Sequence, residues 1–130
     1  MLAGWLRRQR PVFRVVVEGV SMLPELSPGD RLVAVRTPVL EPGDIVAISD
    51  PDMPDRVLVK RVSRLGALSI EVSGDNSAAS RDSRTFGAVG RREVLGRAVY
   101  RYHPPARAGR LRRPRWGGGP GADRDGEQVR

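Results

Sequence analysis

Residues 27–49 read "SPGDRLVAVRTPVLEPGDIVAIS", and the tripeptide Pro-Gly-Asp stands in this stretch twice, at 28–30 and 42–44. Proline pre-sets the first central position of a type II turn, and glycine tolerates the positive φ of the second. Each copy leads into a short run rich in β-branched and apolar residues, "RLVAVR" and "DIVAIS". The two turns therefore predict two chain reversals, each feeding a strand. Reading outward, "VFRVVVEG" precedes the stretch and "RVLVKRV" and "LSIEVSG" follow it. The last alternates Leu68, Ile70 and Val72 with Ser69, Glu71 and Ser73, the period of a half-buried strand. A final strand is expected in "EVLGRAVYRY". No segment of helical length and period competes, so the chain is expected to be mainly β, a coiled sheet or small barrel around one core. The repeated turn is too short to indicate a repeat architecture.

A chain of 130 residues suits one domain with a modest core. The expected organisation is a short N-terminal segment over 1–11, a domain over 12–103 and a tail over 104–130. The tail carries seven arginines against three acids, half of the chain's net charge of +8. Its proline, glycine and arginine content predicts disorder. With Trp116 as its lone aromatic, it lacks the interleaving of a nucleic-acid binder, and no nucleic-acid partner is expected. The absence of cysteine excludes disulfides, thiolate metal sites and a cysteine nucleophile. The single histidine, His103, cannot build a histidine cluster, and no cofactor or metal is expected. The N-terminus has too few consecutive apolar residues for a membrane span or a signal sequence. Its Leu2, Trp5 and Leu6 with Arg7, Arg8 and Arg10 suit either a short interfacial helix or a frayed end. A soluble, cytoplasmic protein is the expectation.

Three stretches carry candidate chemistry. In "VEGVSMLPEL" Ser21 lies two residues after Gly19 and three before Pro24. Such a segment can hold a hydroxyl exposed with backbone N–H groups converging nearby, as an oxyanion site requires, although serine in this setting is ordinarily a turn residue. Of 23 basic side chains, Lys60 is the only lysine. An ammonium can give up its proton when desolvated, whereas a guanidinium cannot. The strand period puts Lys60 on one face with Leu58 and Val62, where apolar neighbours would lower its pKa. Two readings of Lys60 stand at this point, a general base and an edge-strand lysine that snorkels into water. The third stretch, "SGDNSAASRDSRTFG", is a polar loop in which Asp82 and Arg84 can pair and Ser80 can orient the lysine amine.

Taken in order, "GVSMLPEL", "VKRV", "GDNSAASRDSRTFG" and "VGRREVLGRA" resemble the sequence boxes of bacterial type I signal peptidases and the related self-cleaving repressors. The resemblance runs from about Val17 to Tyr100. It implies the coiled β-sheet fold of that superfamily, with Ser21 as nucleophile and Lys60 as general base. Ser80, Gly19 and Met22 would support catalysis, and Asp82 with Arg84 would form a structural pair. Signal peptidases commonly carry a hydroxyl residue where Gly19 stands, so the oxyanion hole here would rest on backbone N–H groups, Ser21's own included. Only 13 residues separate Lys60 from Gly74, where signal peptidases often carry a long insertion. In these respects the chain looks most like the maturation proteases of nickel-containing superoxide dismutase, which implies removal of an N-terminal extension from a cytoplasmic precursor. Two alternatives stand beside this expectation. One is a signal peptidase-like enzyme acting on secretory precursors; the other is a non-catalytic basic β-domain that binds nucleic acid or an acidic protein.

Overall fold

The computed structural model describes residues 10–111; the expectations for residues 1–9 and 112–130 lie outside them. The strands are β1 (Val12–Val16), β2 (Arg31–Val35), β3 (Ile45–Ser49), β4 (Val57–Leu65), β5 (Ser69–Ser73), β6 (Val89–Gly90), β7 (Val94–His103) and β8 (Gly109–Arg110). Among the described residues there is one short α-helix, α1 (Ser83–Phe86), in the polar loop between β5 and β6. The strands form one curled sheet in the order β1-β2-β7-β3-β4-β5-β6, with β8 added to β7, and every pairing is antiparallel. The mainly β expectation holds.

Both Pro-Gly-Asp turns form as read from the sequence. Gly29 and Gly43 adopt φ of +91° and +96°, and the N–H groups of Asp30 and Asp44 donate to the carbonyls of Ser27 and Glu41. The aspartate has its own reason to be there. Its carboxylate accepts the N–H of the first turn residue, Ser27 to Asp30 at 2.9 Å and Glu41 to Asp44 at 2.8 Å. Each turn is thus tied from both directions, and both carboxylates are buried beneath it.

The sheet buries apolar side chains on both faces. One cluster gathers Phe13, Val15, Met22, Leu26, Leu32 and Ile45 with their neighbours. The other gathers Leu40, Val46, Ile48, Val62, Ile70 and Val72. Strand β3 belongs to both, because alternation sends Ile45 and Ala47 to one side and Val46 and Ile48 to the other. All five of its residues are buried, which explains why "IVAIS" reads as a continuous apolar run. Ile45, Val46 and Ile48 each contribute about 1.5–3 kcal/mol on burial, so β3 is the main joint of the fold.

Two expectations need correction. The alternation places Leu68 first on the apolar strand face, but it is 84% exposed. It occupies the β4–β5 hairpin, where the Gly66 N–H donates to the Ser69 carbonyl, and β5 starts after it. The domain also does not stop at His103. The chain continues through a 3₁₀ turn at Pro105–Arg107 and β8, and Leu111 packs on the first core cluster. The physical reason is Asp30. This fully buried carboxylate accepts from Arg101 at 3.1 Å and from Arg107 at 3.0 Å, so the expected tail supplies one of its two counter-charges. Burial by itself would raise the Asp30 pKa, but the bonds from Arg107, the Ser27 N–H and Arg101 bring it below the usual carboxylate value. Asp30→Asn should therefore destabilise the protein by about 2–3 kcal/mol, read as a lower denaturant midpoint at unchanged slope.

Candidate active site

Ser21 lies on the loop between β1 and β2. Mutual backbone bonds at its base, Val17 N–H to Asp30 and Gly29 N–H to Val17, both 2.8 Å, close this loop. Met22 and Leu26 are buried in the first core cluster and pin it to the sheet, leaving Ser21 half-buried. Gly19 adopts φ of +76°, a conformation that L side chains rarely take, and the space beside its Cα is open. A second loop clamps the segment. The Asn76 N–H donates to the Ser21 carbonyl at 2.8 Å, and the Asn76 side-chain amide donates to the Val20 carbonyl at 3.1 Å. Gly74 makes room for this clamp, since a Cβ there would lie 2.7 Å from the Ser21 carbonyl oxygen and collide with the Ser80 hydroxyl.

Lys60 lies in the middle of β4, opposite Val46 of β3. Leu58 and Val62, on the same face, belong to the second core cluster, and Lys60 is only 3% exposed. Its Nζ donates to Ser80 Oγ at 3.0 Å, and Ser80 Oγ donates to Asp82 Oδ2 at 3.3 Å. Asp82 is fully buried and takes both sides of the Arg84 guanidinium, at 3.0 and 3.2 Å, together with the N–H groups of Arg84 and Gly74. It also caps α1, the helix that the sequence reading did not anticipate. Burial pushes the Lys60 ammonium below the ordinary lysine value, against the pull of Asp82 and helped by the Arg81 charge. Burial would raise the Asp82 carboxyl, but the hydrogen bonds from Arg84 and Gly74 prevail and lower it to about 2.

Ser21 and Lys60 line one small cavity of about 30 Å³, whose wall also includes Glu18, Met22 and Leu58. A groove of about 340 Å³ adjoins it, bordered by Arg14, Val16, Glu18, Asp55, Arg56 and Val57. Its two sides are strand edges. Among the described residues strand β1 pairs only with β2, and residues 57–60 of β4 pair only with β3, because β5 joins β4 from Arg61 onward. A wider groove of about 670 Å³ lies elsewhere, at Gly43, Arg97, Tyr100 and Leu111, and shares no lining residue with the Ser21–Lys60 cavity.

The profile of the Peptidase S24-like family matches residues 1–99. The chain belongs to this family. Its relatives include the mitochondrial ATP-independent inner membrane protease subunit 1a of Arabidopsis thaliana, 34% identical over 74% of this chain and 73% of the relative. Mitochondrial inner membrane protease subunit 2 of Danio rerio is 30% identical, over 73% of this chain and 66% of the relative. The subunit 2 of Saccharomyces cerevisiae is 31% identical, over 72% and 69% respectively. The similarity supports a peptidase that processes precursors.

In this S24-like peptidase the structure brings Ser80, Asp82 and Arg84 to Lys60 as one hydrogen-bonded chain and puts Ser21 on the same cavity. Other site residues escaped the sequence reading. Arg61 grips Asp75 with two bonds of 2.8 Å and donates to the Gly43 carbonyl, tying the Asn76 clamp to β4. Arg81 bridges to Asp50 and Asp52 across the site. The one available signal was "GDN" itself, since an Asn beside a Gly-Asp turn is well suited to bond a neighbouring backbone.

The lowered Asp82 pKa has a consequence for stability. A carboxyl whose folded pKa lies below its unfolded value stabilises the fold above the unfolded value and loses that contribution as pH falls through the folded one. Asp82 should therefore contribute up to about 2 kcal/mol at neutral pH, less what solvent screens through the exposed Arg84. That contribution should vanish between about pH 4 and pH 2. Urea titrations of the wild type and Asp82→Asn should converge across this window.

Proposed function

We propose that this peptidase is a serine endopeptidase in which Ser21 is the nucleophile and Lys60 the general base. The observation that carries the reading is the burial of the chain's only lysine, at 3% exposure, on the cavity that Ser21 also lines. A desolvated amine is neutral in a larger fraction of molecules at neutral pH, and only the neutral form can accept a proton. Lys60 Nζ takes the proton from Ser21 Oγ as the oxygen bonds to the scissile carbonyl carbon. Backbone N–H groups near Ser21, its own included, hold the oxyanion, since Gly19 offers no hydroxyl. The tetrahedral intermediate expels the amine, which leaves with the proton held by Lys60, and an ester to Ser21 remains. Lys60 Nζ, neutral again, then takes a proton from a water that hydrolyses the ester. Ser80 fixes the amine's direction, and Asp82 with Arg84 fixes Ser80. The substrate lies extended in the groove between β1 and residues 57–60 of β4 and adds main-chain hydrogen bonds there.

As substrate we propose the precursor of a nickel-containing superoxide dismutase, processed in the cytoplasm. The glycine at position 19 and the short 13-residue span from Lys60 to Gly74 support this. The second reading, processing of precursors at a membrane, is favoured by the relatives, which are named as inner membrane proteases. Among the described residues no helix is long and apolar enough to cross a membrane. The two readings part in one experiment. The purified protein, without lipid, should cut the dismutase precursor once, just before the histidine that becomes its N-terminus, and leave a secretory precursor intact. The reverse preference would favour the second reading.

Ser21→Ala, Lys60→Ala and Lys60→Arg should each lower kcat by ~10³-fold or more while the melting curves stay cooperative. Ser80→Ala should cost less, because both reacting groups remain. Activity should rise with pH through the apparent pKa of Lys60, below the ordinary lysine value. An active Lys60→Arg enzyme would sink the dyad.

A further inference from the structure

The loop between β3 and β4 carries a charge cluster that the dyad does not use. Asp50 is buried at its hub, where its carboxylate takes the Asp52 N–H at 2.9 Å while its own N–H donates to the Arg56 carbonyl at 2.9 Å. Ser49 Oγ donates to the Pro54 carbonyl at 2.7 Å and braces the same turn. A side chain from across the site completes the cluster. Arg81 donates to Asp50 Oδ2 at 2.6 Å and to Asp52 Oδ2 at 2.9 Å, and its guanidinium lies 5.5 Å from the centre of the Phe86 ring. Arg81 follows Ser80, the residue that accepts the Lys60 hydrogen bond. The other arm of the bridge leads through Asp55 and Arg56 into Val57, along the groove wall.

We propose that Arg81 is a positioning residue that staples the Ser80 loop to the β3–β4 loop through Asp50, so that Ser80 holds the Lys60 amine in its reactive direction. This inference rests on the dyad reading above. The geometry favours it over a merely decorative ion pair on two grounds. Asp50 is fully buried, so its carboxylate depends on a cation as a surface partner would not. The bridge also joins segments 31 residues apart, one residue from the Ser80 that bonds the amine, and both of its charges act on Lys60. The charged groups around Lys60 are Asp82 and Arg84 from the second loop, Arg81 and Asp50 from the bridge, and Glu18 and Arg56, which line the cavity it shares with Ser21. Removing Arg81 would leave the Asp50 carboxylate uncompensated near Lys60. The carboxylate would then favour the ammonium form, and the amine would lose its proton only at higher pH.

The test uses the whole protein, a short soluble peptide substrate and full pH profiles of kcat and kcat/KM. Arg81→Ala should lower kcat at neutral pH on the order of tenfold, a fraction of the roughly 10²–10⁴ that a positioned base contributes. Its acid limb should move to higher pH. Arg81→Lys should return the limb most of the way, and Asp50→Asn added to Arg81→Ala should do so by removing the stranded charge. A lower melting temperature with the acid limb and kcat unchanged would make Arg81 structural only and overturn the proposal. So would a loss confined to KM. If Arg81→Ala does not fold, Arg81→Gln supports the same comparison, and an unmoved limb there overturns the proposal equally. Activity in Ser21→Ala would sink the dyad itself, so the two failures are distinguishable.

Discussion

An amine enclosed by Val46, Leu58 and Val62 has lost most of its water, and the rest of the site answers to that loss. Its hydrogen bond goes to a neutral hydroxyl, that of Ser80, and a balancing carboxylate, Asp82, stands one hydrogen bond further on. A carboxylate in direct contact would hold the lysine charged. A hydroxyl orients it while leaving deprotonation possible. Asp82 is meanwhile paired with Arg84 and two backbone N–H groups, so part of its pull on Lys60 is offset. The order lysine, hydroxyl, carboxylate, guanidinium is thus a graded arrangement in which each member moderates the one before it.

Much of this was legible in the chain because it obeys local rules. The Pro-Gly-Asp turns declare themselves by backbone chemistry alone, and their glycines take the positive φ that a type II turn needs. The face of Lys60 followed from a period of two, and the Asp82–Arg84 pair from a spacing of two. What stayed hidden depends on partners far apart in sequence. Arg107 with Asp30, Arg61 with Asp75, and Arg81 with Asp50 are separated by 77, 14 and 31 residues. No pattern window reaches across such gaps. Leu68 shows the opposite failure. A clean alternation was read one residue too far, because hairpin geometry, not polarity, decides where a strand starts.

The same blindness explains the boundary. A stretch of proline, glycine and arginine has little apolar surface to bury, and composition argues for disorder. Yet residues 104–111 hold their place by the Arg107 charge, Leu111 and the pairing of β8 with β7, and the folded sheet already contains a buried carboxylate in need of a second cation. Composition measures what a segment can bury and says nothing of what the rest of the fold lacks.

Strand β4 changes character at one residue. Up to Lys60 one of its edges is open; from Arg61 the same edge is occupied by β5, whose last residue, Ser73, pairs there. The chain then turns away at Gly74 into the clamp that holds the Ser21 carbonyl. A peptide laid along the open edge therefore runs out of backbone partners at the lysine. In the proposed extended binding mode strand β5 is a doorstop, and the polypeptide length that enters is set by the sheet's own register.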